Sequence, residues 1–197
     1  MRIRSKFAVS VLWLNCLLCT AGLAQGAEVS STVDGLDYSS IKKDLALFQG
    51  VVDTTVKQNL QGPFPVLAST KGTYLPDYGA LFNLEVNLYQ IRVISPFDLR
   101  PHSQKELDEA YQGMLKRLAE LKERLVKAMI DHGSSLQLLK PSDSLTLVVH
   151  LFGPEGDAAR PSPSQVILKM RKSWLDAYRG NQLSFDELAR KTEITQF

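Results

Sequence analysis

The amino-acid sequence predicts an α+β domain, with two long helices covering one face of a mostly antiparallel sheet of about four strands and small helices at the C-terminal end. Three observations predict it. Apolar residues recur every three or four positions in two long segments, after Ser39 and after Ser103, which is the period of a helix. Around Val86, Val149 and Leu168 they alternate one by one, the period of a strand with one wet face. Neither kind of element buries its apolar side alone, so helices laid on one side of a sheet satisfy both.

The first helix rests on Ile41, Leu45, Phe48, Val52 and Val56, with Gly62-Pro63 as its stop. The β-branched cluster Val51, Val52, Thr54, Thr55 and Val56 weakens its second half. A hairpin follows. Its turn is Leu75-Pro76-Asp77-Tyr78-Gly79, because Pro then Asp at the centre suits a tight reversal. The first strand lies within 66–75, where Gly72 predicts a weak or bulged stretch. On the second, Phe82, Leu84, Val86 and Leu88 face one way, and Asn83, Glu85, Asn87 and Tyr89 the other.

Residues 103–132 read as the longest helix. Ser103 and Glu106 form a capping box, and Gly133 stands where a helix end favours a residue tolerant of positive φ. Leu107, Tyr111, Met114, Leu118, Leu121, Leu125 and Ala128 make a seam of heptad spacing. Lys116/Glu120, Glu120/Arg124 and Glu123/Lys127 are spaced as i,i+4 pairs. At 1.5 Å per residue the helix is about 45 Å long, enough to cross a domain of this size. Two strands follow. One alternates Leu145, Leu147, Val149 and Leu151 with Thr146, Val148, His150 and Phe152; the other sets Val166, Leu168 and Met170 against Ile167, Lys169 and Arg171. A Gly-, Pro- and Ser-rich loop at 153–164 joins them. In the tail, Ser184 and Glu187 repeat the capping box, and 193–197 has the length of a last short strand.

The first 27 residues carry an address rather than a fold. Arg2, Arg4 and Lys6 precede an apolar run from Phe7 to Ala24, and Ala24, Gly26 and Ala27 supply a small-residue exit. That is the pattern of a cleaved secretory signal peptide. The organisation expected is therefore a signal peptide at 1–27, a lead-in at 28–36 and a single domain at 37–197. Both cysteines, Cys16 and Cys19, fall in the leader, so the exported chain is expected to be free of disulfides. Removing the leader also changes the charge balance. The full chain has 23 Lys plus Arg against 21 Asp plus Glu, and loss of Arg2, Arg4 and Lys6 leaves 20 against 21, a net −1. A near-neutral domain lacks the concentrated basic face that nucleic acid requires.

Catalytic and metal motifs are sparse. The only histidines are His102, His132 and His150, and no Gly-x-Ser-x-Gly elbow positions a nucleophile. No His-Glu-x-x-His, acidic calcium loop or thiolate set offers a metal site, and no cofactor is implied. His132 has the place of a charge set against the dipole of a helix C-terminus. The candidate surface that remains is Asn83, Glu85 and Asn87 along one strand face, with Tyr74, Asp77 and Tyr78 at its mouth. The solvated side of an antiparallel sheet has the same appearance in sequence.

The segment Thr-Tyr-Leu-Pro-Asp-Tyr-Gly-Ala-Leu-Phe-Asn-Leu-Glu, Thr73 to Glu85, resembles a family of uncharacterised exported bacterial proteins. Their shared feature is a Tyr-Leu-Pro-x-Tyr-Gly stretch between a first helix and a long charged second helix, with Gly usual where Asp77 stands. The resemblance spans 36–190 in element order and implies a bacterial envelope location, with no activity, ligand or catalytic residue attached. The function expected is thus a periplasmic or extracellular binding or scaffolding domain, more an adaptor than an enzyme. Its partner would be an envelope protein or a small ligand, with no nucleic acid and no stable membrane anchor once the leader is removed. A seam packed on the chain's own sheet also implies a monomer. Two alternatives use other residues: a hydrolase or transferase built on carboxylates such as Asp77 and Glu85, and an assembly protein that pairs through the seam of 103–132.

Overall fold

Asp37 opens the first helix by accepting hydrogen bonds from the amides of Ser39 and Ser40, at 3.0 and 3.3 Å. The computed structural model describes residues 37–60, 66–90, 100–153 and 159–197. The expected leader and lead-in, the Gly62-Pro63 stop and the middle of the 153–164 loop lie outside the described residues. Helix α1 is Tyr38–Asn59, and its stripe Ile41, Leu45, Phe48, Val52 and Val56 is buried. Thr54 and Thr55 remain helical, with their hydroxyls donating back to the carbonyls of Gly50 and Val51.

Strands β1 (Val66–Leu75) and β2 (Gly79–Asn87) form the hairpin. The Tyr78 amide donates to the Leu75 carbonyl at 3.1 Å, and Asp77, third in the turn, has φ 62°. Pro in second place and positive φ in third make this a type II turn, a geometry that glycine or asparagine normally supplies. The bulges in β1 fall at Val66/Ala68 and Ala68/Lys71 rather than at Gly72. Gly72 serves packing instead: a Cβ there would sit 2.5 Å from the Phe82 ring.

Helix α2 (Gln104–Gly133) carries the expected capping box. Its seam is narrow at first, with Met114, Leu118 and Leu121, then widens to Leu125, Val126, Ala128, Met129 and Ile130. A stripe of that width faces a core, not a second helix alone. Gly133 ends the helix without positive φ. It leaves room, since a Cβ would come 2.7 Å from a Leu145 methyl and 2.9 Å from a Leu175 methyl. The i,i+4 ion pairs that close are Lys127–Asp131 at 2.6 Å and Lys105–Glu109 at 3.9 Å. Those expected in the middle of the helix do not close, because long exposed side chains gain little from being fixed.

The remaining elements are β3 (Ser144–Phe152), β4 (Gln165–Arg171), α3 (Lys172–Arg179), α4 (Phe185–Lys191) and β5 (Glu193–Gln196). The α+β class holds, but the sheet has five strands, in sequence order β1 to β5, and it is mixed. Three of its pairings are antiparallel, while β2 and β3 run parallel. The cause is α2. A helix that returns along the sheet delivers the next strand in the direction of the last, as parallel neighbours require. One cluster joins the inner faces of β2, β3 and β4 to α1 and α2.

Two stability outcomes follow. Leu121 is 1% exposed, so Leu121→Ala should cost about 2–5 kcal/mol in urea unfolding, independently of protein concentration. Gly79 has φ +123°, and a Cβ on it would lie 2.1 Å from the Ser144 carbonyl oxygen. Gly79→Ala should therefore lower stability by at least about 2 kcal/mol by the same measurement.

Candidate functional site

Strand side chains alternate between faces, so a residue lies on the side of its register partners. Phe82, Leu147 and Leu168 pair across the centre and are fully buried under the helices. The residues one step away point to the opposite face, which no helix covers among the described residues. One row there is Lys71, Asn83, Val148, Ile167 and Thr195. The row beside it runs Thr73, Leu81, Thr146, Lys169 and Glu193.

Asn83, Glu85 and Asn87 do share this open face. Tyr78 joins them from the turn, with its phenol 2.9 Å from the Thr146 hydroxyl. Tyr74 does not. It pairs with Ala80 and packs against the core cluster on the helix side. Asp77 is exposed at the turn itself, where its backbone conformation is its evident role. The Asn87 side chain is partly committed, accepting from the Tyr89 amide at 3.0 Å.

Sequence reasoning missed the neighbours. His150 is the register partner of Glu85, which sets an imidazole beside a carboxylate on the open face. Phe152, the partner of Asn87, is 65% exposed, whereas Val148 at the centre is 7% exposed. Lys169 and Glu193 close an ion pair of 3.4 Å across the far strands. The alternation of β3 does put Thr146, Val148, His150 and Phe152 on one side. What sequence lacks is the identity of the strand they lie beside.

Three concave regions among the described residues lie elsewhere. A cleft of about 500 Å³ separates the start of α1 from the segment after α2, with Asp44, Leu47 and Gln137 on its walls. Asp44 accepts there from the amides of Gln137 and Leu138, at 3.0 and 3.3 Å. A second groove, of about 680 Å³, runs between α1 and the end of β1 and takes in Tyr74. A third, of about 150 Å³, is flanked by Gln90 and Arg117. None of the three takes a side chain from Asn83, Glu85 or Asn87. Among the described residues, no three His, Asp or Glu side chains gather as metal ligands. No family model, curated protein or solved structure matches the chain.

Shifted ionisations mark architecture rather than chemistry. Asp37, Glu106 and Glu187 are all lowered by hydrogen bonds from Ser40, Ser103 and Ser184 respectively. Each is a helix-capping carboxylate, favoured in charged form by the amides and hydroxyl it accepts from. Burial lowers Arg117, whose Nε donates to the Leu88 carbonyl at 2.9 Å. The Asp131 carboxylate raises Lys127.

Glu106 gives a pH outcome. The Ser103 amide and hydroxyl, with Arg100, hold it at about 2 against an ordinary 4.5. A carboxyl more acidic in the folded chain stabilises fully above its unfolded value, and the contribution is lost as pH falls through the folded one. The first turn of α2 should therefore stay protected in amide exchange below pH 4.5 and fray only towards pH 2. Ser103→Ala should move the Glu106 titration, followed by carboxyl NMR, back up towards the ordinary range.

Proposed function

We propose that this protein is an exported binding or scaffolding domain of the bacterial envelope that engages its partner through the uncovered face of the sheet. The observation that carries the reading is the asymmetry of the two faces. One is sealed by α1 and α2; the other carries no helix among the described residues and presents Asn83, Glu85, Asn87 and His150 beside Leu81, Ile167 and an exposed Phe152. A rigid surface mixing polar groups with scattered apolar side chains suits a protein partner, whereas turnover calls for polar groups converging in a concavity. Export is supported by the leader pattern of 1–27 and by the resemblance at Thr73 to Glu85. The α2 seam is spent on the chain's own core, so assembly through that helix would need another surface.

One observation favours a second reading. Glu85 and His150 are register partners, and a carboxylate beside an imidazole is a possible acid–base pair for a hydrolase or transferase. Binding is the reading we favour, since neither group lines any of the three clefts found among the described residues.

Two measurements test the proposal. Intact-mass analysis of protein from the envelope fraction should find a chain beginning between Gln25 and Glu28; a retained Met1 would sink the export half. Photo-crosslinking residues placed at Asn83 and Lys71 should capture one adduct of constant mass in envelopes. The same residue at Glu123, on the exposed side of α2, should capture none. Phe152→Glu should abolish the adduct, and equal capture from Glu123 would mean the open face is not the docking surface.

A further inference from the structure

The groove between α1 and β1 is separate from the open face and has a chemistry of its own. Its wall on α1 is built by Ile41, Leu45 and Ala46, and its wall on β1 by Gly72 and Tyr74. Ile41 and Leu45 are buried, Gly72 and Tyr74 are half-buried, and Ala46 is exposed at the rim. Gly72 helps to keep the groove open, because the strand presents no side chain between Thr70 and Tyr74 on that face. At about 680 Å³ the space lies within the 300–1,000 Å³ common for small-molecule sites.

Charge identifies the occupant. Lys42 is the one ionised side chain among the residues lining the groove, and it has no acidic partner among the described residues. Tyr38 stands one turn before it on the same helix, and Tyr74 faces both from the strand. Neither phenol is engaged in a hydrogen bond among the described residues. The carboxylates nearest in sequence are turned elsewhere: Asp37 caps Ser39 and Ser40, and Asp44 accepts from the amides of Gln137 and Leu138. An apolar trough rimmed by one free ammonium and two free phenols, with no carboxylate lining it, complements a ligand of opposite pattern. The geometry points to a binding site for a small amphiphile with an aliphatic body and a single anionic head, the body along Leu45 and Ala46 and the head at Lys42. A free fatty acid and a single-chain lysolipid with an anionic head share this chemistry.

Dodecanoate below its micelle concentration is the probe, titrated calorimetrically into the mature chain beside dodecanol and dodecyltrimethylammonium. Dodecanoate should bind one per chain and the cationic amphiphile should not. Lys42→Gln should weaken dodecanoate by about tenfold, the loss of one charge-assisted contact, and leave dodecanol unchanged. Lys116→Gln, on the exposed side of α2, should leave dodecanoate binding unchanged. Ala46→Trp fills the trough from an exposed helix position and should abolish both ligands. Nitroxide-labelled dodecanoate, needing no variant, should broaden the amide signals of Ala46 and Gly72 and spare Asn83. Equal binding of the cationic amphiphile, or broadening centred outside α1 and β1, would overturn the proposal. Adding dodecanoate, then lysophosphatidate as the lipid-derived source, ranks the two origins of the ligand by affinity. Loss of this binding would leave the open-face crosslink intact, so the two readings fail separately.

Discussion

Gly79 and Ser144 meet so closely that no side chain fits between them, and the layout of the sheet follows from that contact. The Ser144 amide donates to the Tyr78 carbonyl at 2.8 Å, and Gly79 becomes its register partner. From there the parallel pair runs in step to Asn87 and Phe152. A slip of one residue would turn every side chain of a strand to the wrong face. Phe82 would then leave the core, where its ring lies 4.8 Å from that of Phe48. The same register sets Glu85 beside His150, so the character of the open face is decided at the hairpin turn. Tyr78 reinforces the docking through Thr146, a residue only 2% exposed although it belongs to the uncovered side.

Elements were legible because each is locally consistent. The capping boxes at Ser103 and Ser184 form, the helical stripes are buried, and the strand bounds at 66–75 agree with the reading of the turn. Strand direction was not legible from alternation, since a half-buried strand alternates alike beside a parallel or an antiparallel neighbour. The clue lay in the connection. A 30-residue helix between β2 and β3 is too long for a hairpin and has the length of a crossover. The fifth strand was at the limit of recognition, with four residues, all exposed, and only Ile194 among them apolar.

The candidate surface was legible in part, and the reason is again the period of a strand. Asn83, Glu85 and Asn87 had to share a face. Tyr74 and Tyr78 flank the turn and look equivalent in sequence, yet the turn separates them. Tyr74 is still within β1 and takes the inner side, while Tyr78 has left the ladder and folds over the outer one. Gly133 shows the same limit. A glycine at a helix end signals a left-handed cap by statistics, but here the contact with Leu145 and Leu175 requires it. Tertiary proximity leaves no local mark.

Both surfaces depend on how β1 is held. As an edge strand, β1 has one row of backbone groups without a ladder, the usual liability of a sheet. At the bulge, α1 supplies the missing partners. Asp53 accepts from both the Thr70 amide, at 2.9 Å, and the Thr70 hydroxyl, at 2.6 Å, and Gln49 donates to the Thr70 carbonyl at 2.8 Å. Beyond that anchor, successive side chains divide between the two surfaces. Lys71 and Thr73 take the open face, and Gly72 and Tyr74 the groove. The tie at Thr70 therefore sets the width of the groove and the edge of the open face together. A helix clamped at one bulge in a strand gives a 10-residue edge two separate surfaces, because each side of the strand meets a different environment.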